Sequence, residues 1–445
     1  MPTVHGVLVI ARNGDRTVYH QDPDTYAPAY TESTPLGAAE SHALGSTLRS
    51  TYLSPASPSY IQGISSSLVS NPQVLVHAKA GGEGTAIFDS AIAVLQGLFP
   101  PTLQNKIELA DGRTIVAPLG GYQYIPVEMA PEGVDRALEP WVGCPAFEKH
   151  VADVYASQGF KDTAKHAEHF FDAVHDYTFG RPTTLENAWN IYDYVDTQLT
   201  HNKTFAYRLP PTFINQARGL ANYHENLVFS DKQVGGIGNI AGRTILHPIL
   251  SALQRIAFDD DPLRFLLLET SYQPFISLFH MLEMVNENPD LAGIPNFASA
   301  LAFELLRGPA PERREFLRVK FKNGTDEDFQ TYHVFGHEAD IPVTEFMYRI
   351  EHHAITSQKQ WAAACGVNHG YLSRVGGYLG IGATSEDASF STGNVFTIVA
   401  MAFFLGLFVK MFYGGRSRRN NIREIRDQLK AEHNSEMGEK SRLLP

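Results

Sequence analysis

A chain of 445 residues is long enough to bury a sizeable core, as one large domain or two intimate ones. Its composition is that of an ordinary globular protein, 43% hydrophobic and 11% aromatic, and a formal charge of −12 argues against general nucleic-acid binding. Two cysteines, Cys144 and Cys365, exclude a disulfide framework and any multi-cysteine metal site, while a single bridge between them stays open.

The first predicted element is a strand. HGVLVIA (5–11) is an uninterrupted apolar run, the kind buried in a mostly parallel sheet. TPLGAAESHALGSTLRSTYL (34–53) carries Leu36, Ala39, Leu44 and Leu48 near helical spacing and begins at a Thr-Pro boundary. PQVLVHAKA (72–80) is a second strand, and TAIFDSAIAVLQGLF (85–99) a second helix. Strand, helix, strand, helix implies crossover units on one sheet.

The pattern then changes. From 135 to 253 amphipathic helices follow one another without strands: CPAFEKHVADVYASQ, TAKHAEHFFDAVHDYTF and TLENAWNIYDYVDTQL. The segment reads as a helical cap inserted into an α/β core made of residues 1–134 and 254–350. His166, His169 and His175 lie on one of these helices, where exposed histidines are far commoner than metal ligands, and no metal is expected. PLRFLLLETS (262–271) returns to the sheet, QPFISLFHMLEMV (273–285) is the helix after it, and REFLRVKFKNGTDEDFQTYHV (314–334) is a closing hairpin with Asn323-Gly324 at its turn.

Beyond an extension and linker at 351–394, residues 395–413 read VFTIVAMAFFLGLFVKMFY, with Lys410 as their one charge. Nineteen helical residues span roughly 28 Å, close to the hydrocarbon thickness, so a single transmembrane helix is expected, followed by a basic polar tail at 414–445. Two rules then conflict over orientation. The arginines after 413 place the tail in the cytoplasm and the large domain outside, where Asn202 and Asn323 head glycosylation sequons. The start MPTVHGVLVI has no secretory character and cysteines are scarce, which favours a cytosolic domain with a tail anchor, and that is the orientation expected here.

The chemistry gathers after the first strand. In ARNGDRT (11–17), Arg12 and Arg16 flank Gly14: guanidinium forks match phosphoryl oxygens, and a glycine lets backbone N–H groups come close. The loop suits a phosphoryl or other anionic group, at the edge where open α/β sheets place ligands.

The sequence RNGDRT resembles the Arg-His-Gly-x-Arg-x-Pro signature of the histidine acid phosphatases, the phytase and acid phosphatase branch of the histidine phosphatase superfamily. The similarity continues in order through FDSAIAVLQGLFPP, YQYIPVEM, LEPWVGCPAFEKH, LENAWNIYDYV, ETSYQPFISLFHML, FASALAFELLRG and EFLRVKFKNGT, covering roughly 4–350. Fungal phosphoglycerate-mutase-like members look most similar. The resemblance implies an α/β core with a helical cap and no cofactor. In the family a histidine attacks phosphorus, arginines hold the oxygens, and the aspartate of a His-Asp pair protonates the leaving alcohol.

This chain departs from the pattern at the chemical positions. Asn13 stands at the nucleophile, Val18 replaces the proline, and no arginine lies between Arg49 and Arg113, where the family has a further clamp. At the His-Asp position the chain reads Glu269-Thr270. An amide nitrogen delocalises its lone pair and is not a nucleophile in the imidazole sense, and threonine is no acid near neutral pH. The expectation is a membrane-anchored pseudophosphatase that binds a phosphorylated small molecule, another anion or a protein partner through Arg12, Gly14 and Arg16. The alternative is a phosphomonoesterase with a rearranged site, in which His20, His77 or Glu269 activates water, His77 being best placed at the end of the second strand. A third reading is a structural protein whose pocket is closed over Arg12 by Tyr19, Tyr272 or Phe275.

Overall fold

The computed structural model describes residues 2–131, 133–259, 261–308 and 314–367. Strand β1 (Thr3–Arg12) runs through the centre of an eight-stranded sheet. The other strands are β2 (Val74–Ala78), a separate hairpin of β3 (Lys106–Glu108) and β4 (Thr114–Val116), β5 (Glu128–Met129), β6 (Phe265–Thr270), β7 (Ala300–Arg307), β8 (Glu315–Lys322), β9 (Gln330–Tyr332) and β10 (Ile341–Pro342). The order across the sheet is β10-β8-β7-β1-β6-β2-β5, with β9 also paired to β8.

The sheet corrects one expectation. It is parallel only on one side of β1, through β6, β2 and β5; β7, β8, β9 and β10 pair antiparallel. A strand buried on both faces reads as a continuous apolar run whichever way its neighbour points, so ALAFELLR in β7 carried no sign of direction.

Helices cover both faces. On one, Pro35–Leu48 and Gly84–Leu98 pack Leu44, Leu48, Val94 and Leu98 against Val7, Val9 and Leu267. Thr34 starts the first of these helices by accepting a hydrogen bond from the Gly37 N–H, with Pro35 pre-set for the first turn. On the other face, Ile240–Ala257, Gln273–Met281 and Val343–Ile350 bury Ile245, Ile249, Phe275 and Phe346 against Leu8, Ile10 and Leu266. The end of the segment expected as cap therefore lies on the sheet.

The cap proper is built from Pro145–Ala156, Gln158–His166, Glu168–Val174, Ala188–His201, Lys203–Arg208 and Pro211–Val228. Its own aromatic core includes Trp141, Phe147, Phe171, Trp189 and Phe229, and it reaches the sheet edge through Tyr19, Tyr272 and Ile276. Cys144, at the cap entrance, and Cys365, ending the Gln358–Cys365 helix, are both buried and form a disulfide across 221 residues. Among the described residues no helix is long and apolar enough to cross a membrane; the 395–413 run, the linker before it and the basic tail lie outside the described residues.

Candidate functional site

The loop leaving β1 is held from every side. The Asn13 N–H donates to the Thr270 carbonyl at the end of β6, the Gly14 N–H to Ser90 Oγ, and the Asp15 N–H to Glu40 Oε2. Gly14 has a packing reason to be glycine: a methyl group there would collide with the Gly37 carbonyl, and one on Gly37 would collide with the Asp15 carbonyl. Loop and helix cross backbone to backbone, and the Gly14 N–H is already satisfied.

Arg16 is fully buried between two carboxylates. Its Nε donates to Glu83 Oε1 at 2.7 Å and its Nη1 to Asp193 Oδ1 at 2.8 Å, while Asp193 Oδ2 accepts the Tyr19 N–H at 2.8 Å. The opposite oxygen of Glu83 lies 3.2 Å from the Lys79 ammonium, which also reaches Glu139 and Ser271 Oγ, each at 3.2 Å. Gly81 makes room for Glu139, because its φ of +94° suits glycine and a Cβ would strike that carboxylate. Arg12 donates to the Pro295 carbonyl and lies 4.1 Å from the Phe297 ring centroid and 5.6 Å from that of Tyr272. Arg16 is 4.7 Å from the Tyr19 ring and 5.5 Å from Phe297. Arg12 Nε, Arg16 Nη2 and Asn13 Oδ1 are buried without a hydrogen-bond partner, and Asn13 Nδ2 donates to the Gly14 carbonyl.

Electrostatics follow from this packing. Burial disfavours charge on Arg16 and Lys79, but their carboxylates outweigh it and hold both pKa values above the ordinary range. Burial opposes the charge of Glu83 too, and Lys79 and Arg16 reverse it, leaving Glu83 a stronger acid than usual. For Asp193 and Glu139 burial prevails and their carboxyls are pushed up. Arg12, with burial and Arg16 against it, is pushed down. Asp196 on the same cap helix as Asp193 is raised to about 6, by burial and then by Asp193. Three cations thus face three close carboxylates.

The other expected residues lie elsewhere. Glu269 sits inside β6, in register with Ala11 and Ala78, on the face that Phe265 and Leu267 pack against Pro35–Leu48 and Gly84–Leu98. It is fully buried, both its oxygens lack partners, and burial alone pushes its carboxyl far up. Thr270 Oγ1 is likewise unpartnered. The residues that continue from β6 into the centre are Ser271, on Lys79, and Tyr272, over Arg12. His77, about one-third exposed, pairs with Glu128 at 3.5 Å in a cleft of about 270 Å³ whose lining includes His247, Ser251 and Arg255 but none of Arg12, Asn13 or Arg16. His20 is exposed. Of the three aromatics named as closers, Tyr19 and Tyr272 stand over the arginines, while Phe275 packs with Phe279 and Phe321 on the sheet.

Spacing did not reveal Lys79, Glu83, Glu139, Asp193 or Phe297. Only Lys79 and Glu83, four residues apart in AKAGGEG, carry a local signal, in a stretch that lacks the arginine the resemblance calls for. Among the described residues no group of three or more His, Cys, Asp or Glu side chains is arranged to hold a metal ion.

No family model matches the chain. It is 23% identical to the lysosomal acid phosphatase of Pongo abelii over 371 residues, 82% of this chain and 80% of that protein, and 23% identical to that of Homo sapiens over 366 residues, 81% and 79%. Among solved structures it is similar to the phytase of Citrobacter braakii, with a TM-score of 0.54 and 13% identity over 81% of this chain and 99% of that one. The Hafnia alvei phytase with tartrate gives 0.55 and 12% over 82% and 98%. These structures share the fold alone; the lysosomal relatives extend the likeness to sequence along most of both chains. In sequence the chain resembles lysosomal acid phosphatases along most of both chains, and in fold it resembles phytases, a likeness that supports a place among the histidine acid phosphatases.

Proposed function

We propose that this protein is a membrane-anchored pseudophosphatase, which holds a phosphorylated or other anionic group without transferring it. The observation that carries the loss of transfer is the charge balance at the centre, which also makes any anion binding weak while the carboxylates stay charged. A phosphate site needs surplus positive charge, and here Glu83 and Asp193 occupy the arginine fork that would grip the oxygens, with Glu139 on Lys79. The nucleophile position supports the same reading: Asn13 has no nucleophilic lone pair, and its Nδ2 is turned onto the Gly14 carbonyl. Losing one acid or one anion clamp costs about two to four orders of magnitude in rate, and here nucleophile, acid and clamp are all altered.

Anion binding on this reading depends on pH. Arg16 and Lys79 are held in the charged form, whereas Asp193, Glu139 and Asp196 carry raised pKa values, so acidification removes negative charge and leaves the centre more cationic. Arg12 Nε and Arg16 Nη2 are the donors left to meet an anion. Vanadate binding to the full chain in detergent should therefore be weak at neutral pH and strengthen as pH falls through about 6. The same sample should hydrolyse neither p-nitrophenyl phosphate nor phytate above the level of Arg12→Ala. Hydrolysis abolished by Arg12→Ala would end the proposal.

The second reading, a phosphomonoesterase of acid phosphatase type with a rearranged site, draws support from the names of the relatives and from the open cleft holding His77 and Glu128. Turnover that survives Arg12→Ala and is lost with His77→Ala would favour it.

A further inference from the structure

We infer that the folded domain matures in an oxidising, glycosylating compartment, and that Asn202 carries an N-linked glycan there. Two features unrelated to the arginine centre converge on this placement.

The first is the fate of the cysteines. The chain has two, far apart in sequence, and the fold brings both into the same buried contact as a disulfide. Its formation removes two electrons and two protons from the thiols, which an oxidising disulfide-exchange partner must accept. Thiols in the cytosol are kept reduced, and there the two buried sulfurs would meet as unbridged thiols. The bridge ties the cap entrance to the Gln358–Cys365 helix, the last described element before the chain continues toward its apolar run.

The second is the unequal setting of the two sequons. Asn202 and Thr204 are both exposed where Ala188–His201 gives way to Lys203–Arg208. Asn202 Oδ1 accepts the Phe205 N–H at 3.1 Å and caps the second helix, while Nδ2 donates only to Gln198 Oε1. Glycosylation would use the spare atom: Nδ2 attacks the anomeric carbon of a lipid-linked oligosaccharide, the bond to the lipid pyrophosphate breaks, and Nδ2 loses one proton. The capping oxygen and one N–H remain. Asn323, in contrast, is half-buried, and its Oδ1 takes hydrogen bonds from the Asn296 N–H and Ser299 Oγ. It stands in a turn wound around the Lys322 ammonium, with Gly324 at a φ of +79°. That turn is closed; the Asn202 junction is open. The lumenal placement is also what the arginines after 413 call for, and it overrides the weight given to cysteine scarcity.

The test uses the full chain made in a eukaryotic cell. Cells are lysed under acid, and free thiols are alkylated with a maleimide polymer before and after reduction. Samples of the natural chain, Thr204→Ala and Asn323→Gln are then treated with peptide N-glycosidase. Thr204→Ala removes the acceptor motif but keeps the Asn202 cap, and its thiol state reports whether it still folds. The expected result is no alkylation until reduction and two additions afterwards in all three. The natural chain and Asn323→Gln should show a mobility shift on deglycosylation that Thr204→Ala lacks, with the enzyme's Asn-to-Asp conversion at position 202 by mass. Thiols alkylated without reduction, no shift in the natural chain, or a shift that survives Thr204→Ala would each overturn the inference.

Discussion

At the scale of single residues, the centre of this protein is decided by what stands opposite Arg16. Motif and spacing made Arg12 and Arg16 legible, but the carboxylates on Arg16 come from 67 and 177 positions further along, and no local pattern joins them. Glu83→Gln tests the balance. It leaves Arg16 and Lys79 sharing one carboxylate fewer, so stability should fall by about 3 kcal/mol in chemical denaturation, as for a broken buried ion pair. The same change should raise vanadate affinity at neutral pH, because the centre gains net positive charge. Equal affinity in the two proteins would contradict the account.

Two acids, the half-buried Asp196 and the fully buried Glu269, make a prediction of opposite sign. The folded pKa of Asp196 is raised to about 6, and that of Glu269 is raised further by burial. A raised folded pKa means the native state holds the proton more tightly. Stability from these groups is therefore complete below the ordinary carboxylate range and is lost as pH rises toward and through the folded values. Thermal midpoints should fall between pH 4 and 7. Glu269→Leu should flatten that slope and stabilise the protein at pH 7 by about 3 kcal/mol, since a neutral carboxyl no longer has to be kept there. A destabilised Glu269→Leu would show that the carboxyl has a partner.

At the scale of elements, the contact between the catalytic-type loop and the Pro35–Leu48 helix is a crossing of two glycines. Gly14→Ala should cost about 2–4 kcal/mol, through collision with the Gly37 carbonyl, and should do so whether or not any anion is present. A cost visible only with bound vanadate would restore the phosphate-cradle reading of that glycine. Much at this scale was written in the chain. The β1 run, the Thr34-Pro35 start and the helix after β2 fell where hydrophobic pattern and capping put them. Pro211–Val228 escaped because its buried stripe is Ala217, Ala221, His224, Glu225 and Val228, too small and polar to stand out. The break at Ala167, which splits one expected helix into Gln158–His166 and Glu168–Val174, has no glycine or proline to mark it.

At the scale of the whole molecule, the disulfide between Cys144 and Cys365 closes 221 residues covalently. Loop-closure entropy assigns it about 5 kcal/mol, so Cys144→Ser should lower the denaturation midpoint strongly under oxidising conditions and not at all relative to the reduced natural protein. On the proposed reading, the sheet, cap and charged centre keep a fold shared with phytases while changing the atoms that would react. That is the central claim, and one measurement reaches it most directly. The full chain is mixed with radiolabelled phosphomonoester at pH 3 to 7, quenched, and analysed for protein-bound phosphate and released phosphate together. The account predicts neither, at any pH, alongside anion binding that grows on acidification. Phosphate covalently attached to the protein, appearing with turnover and lost in Arg12→Ala, would contradict it.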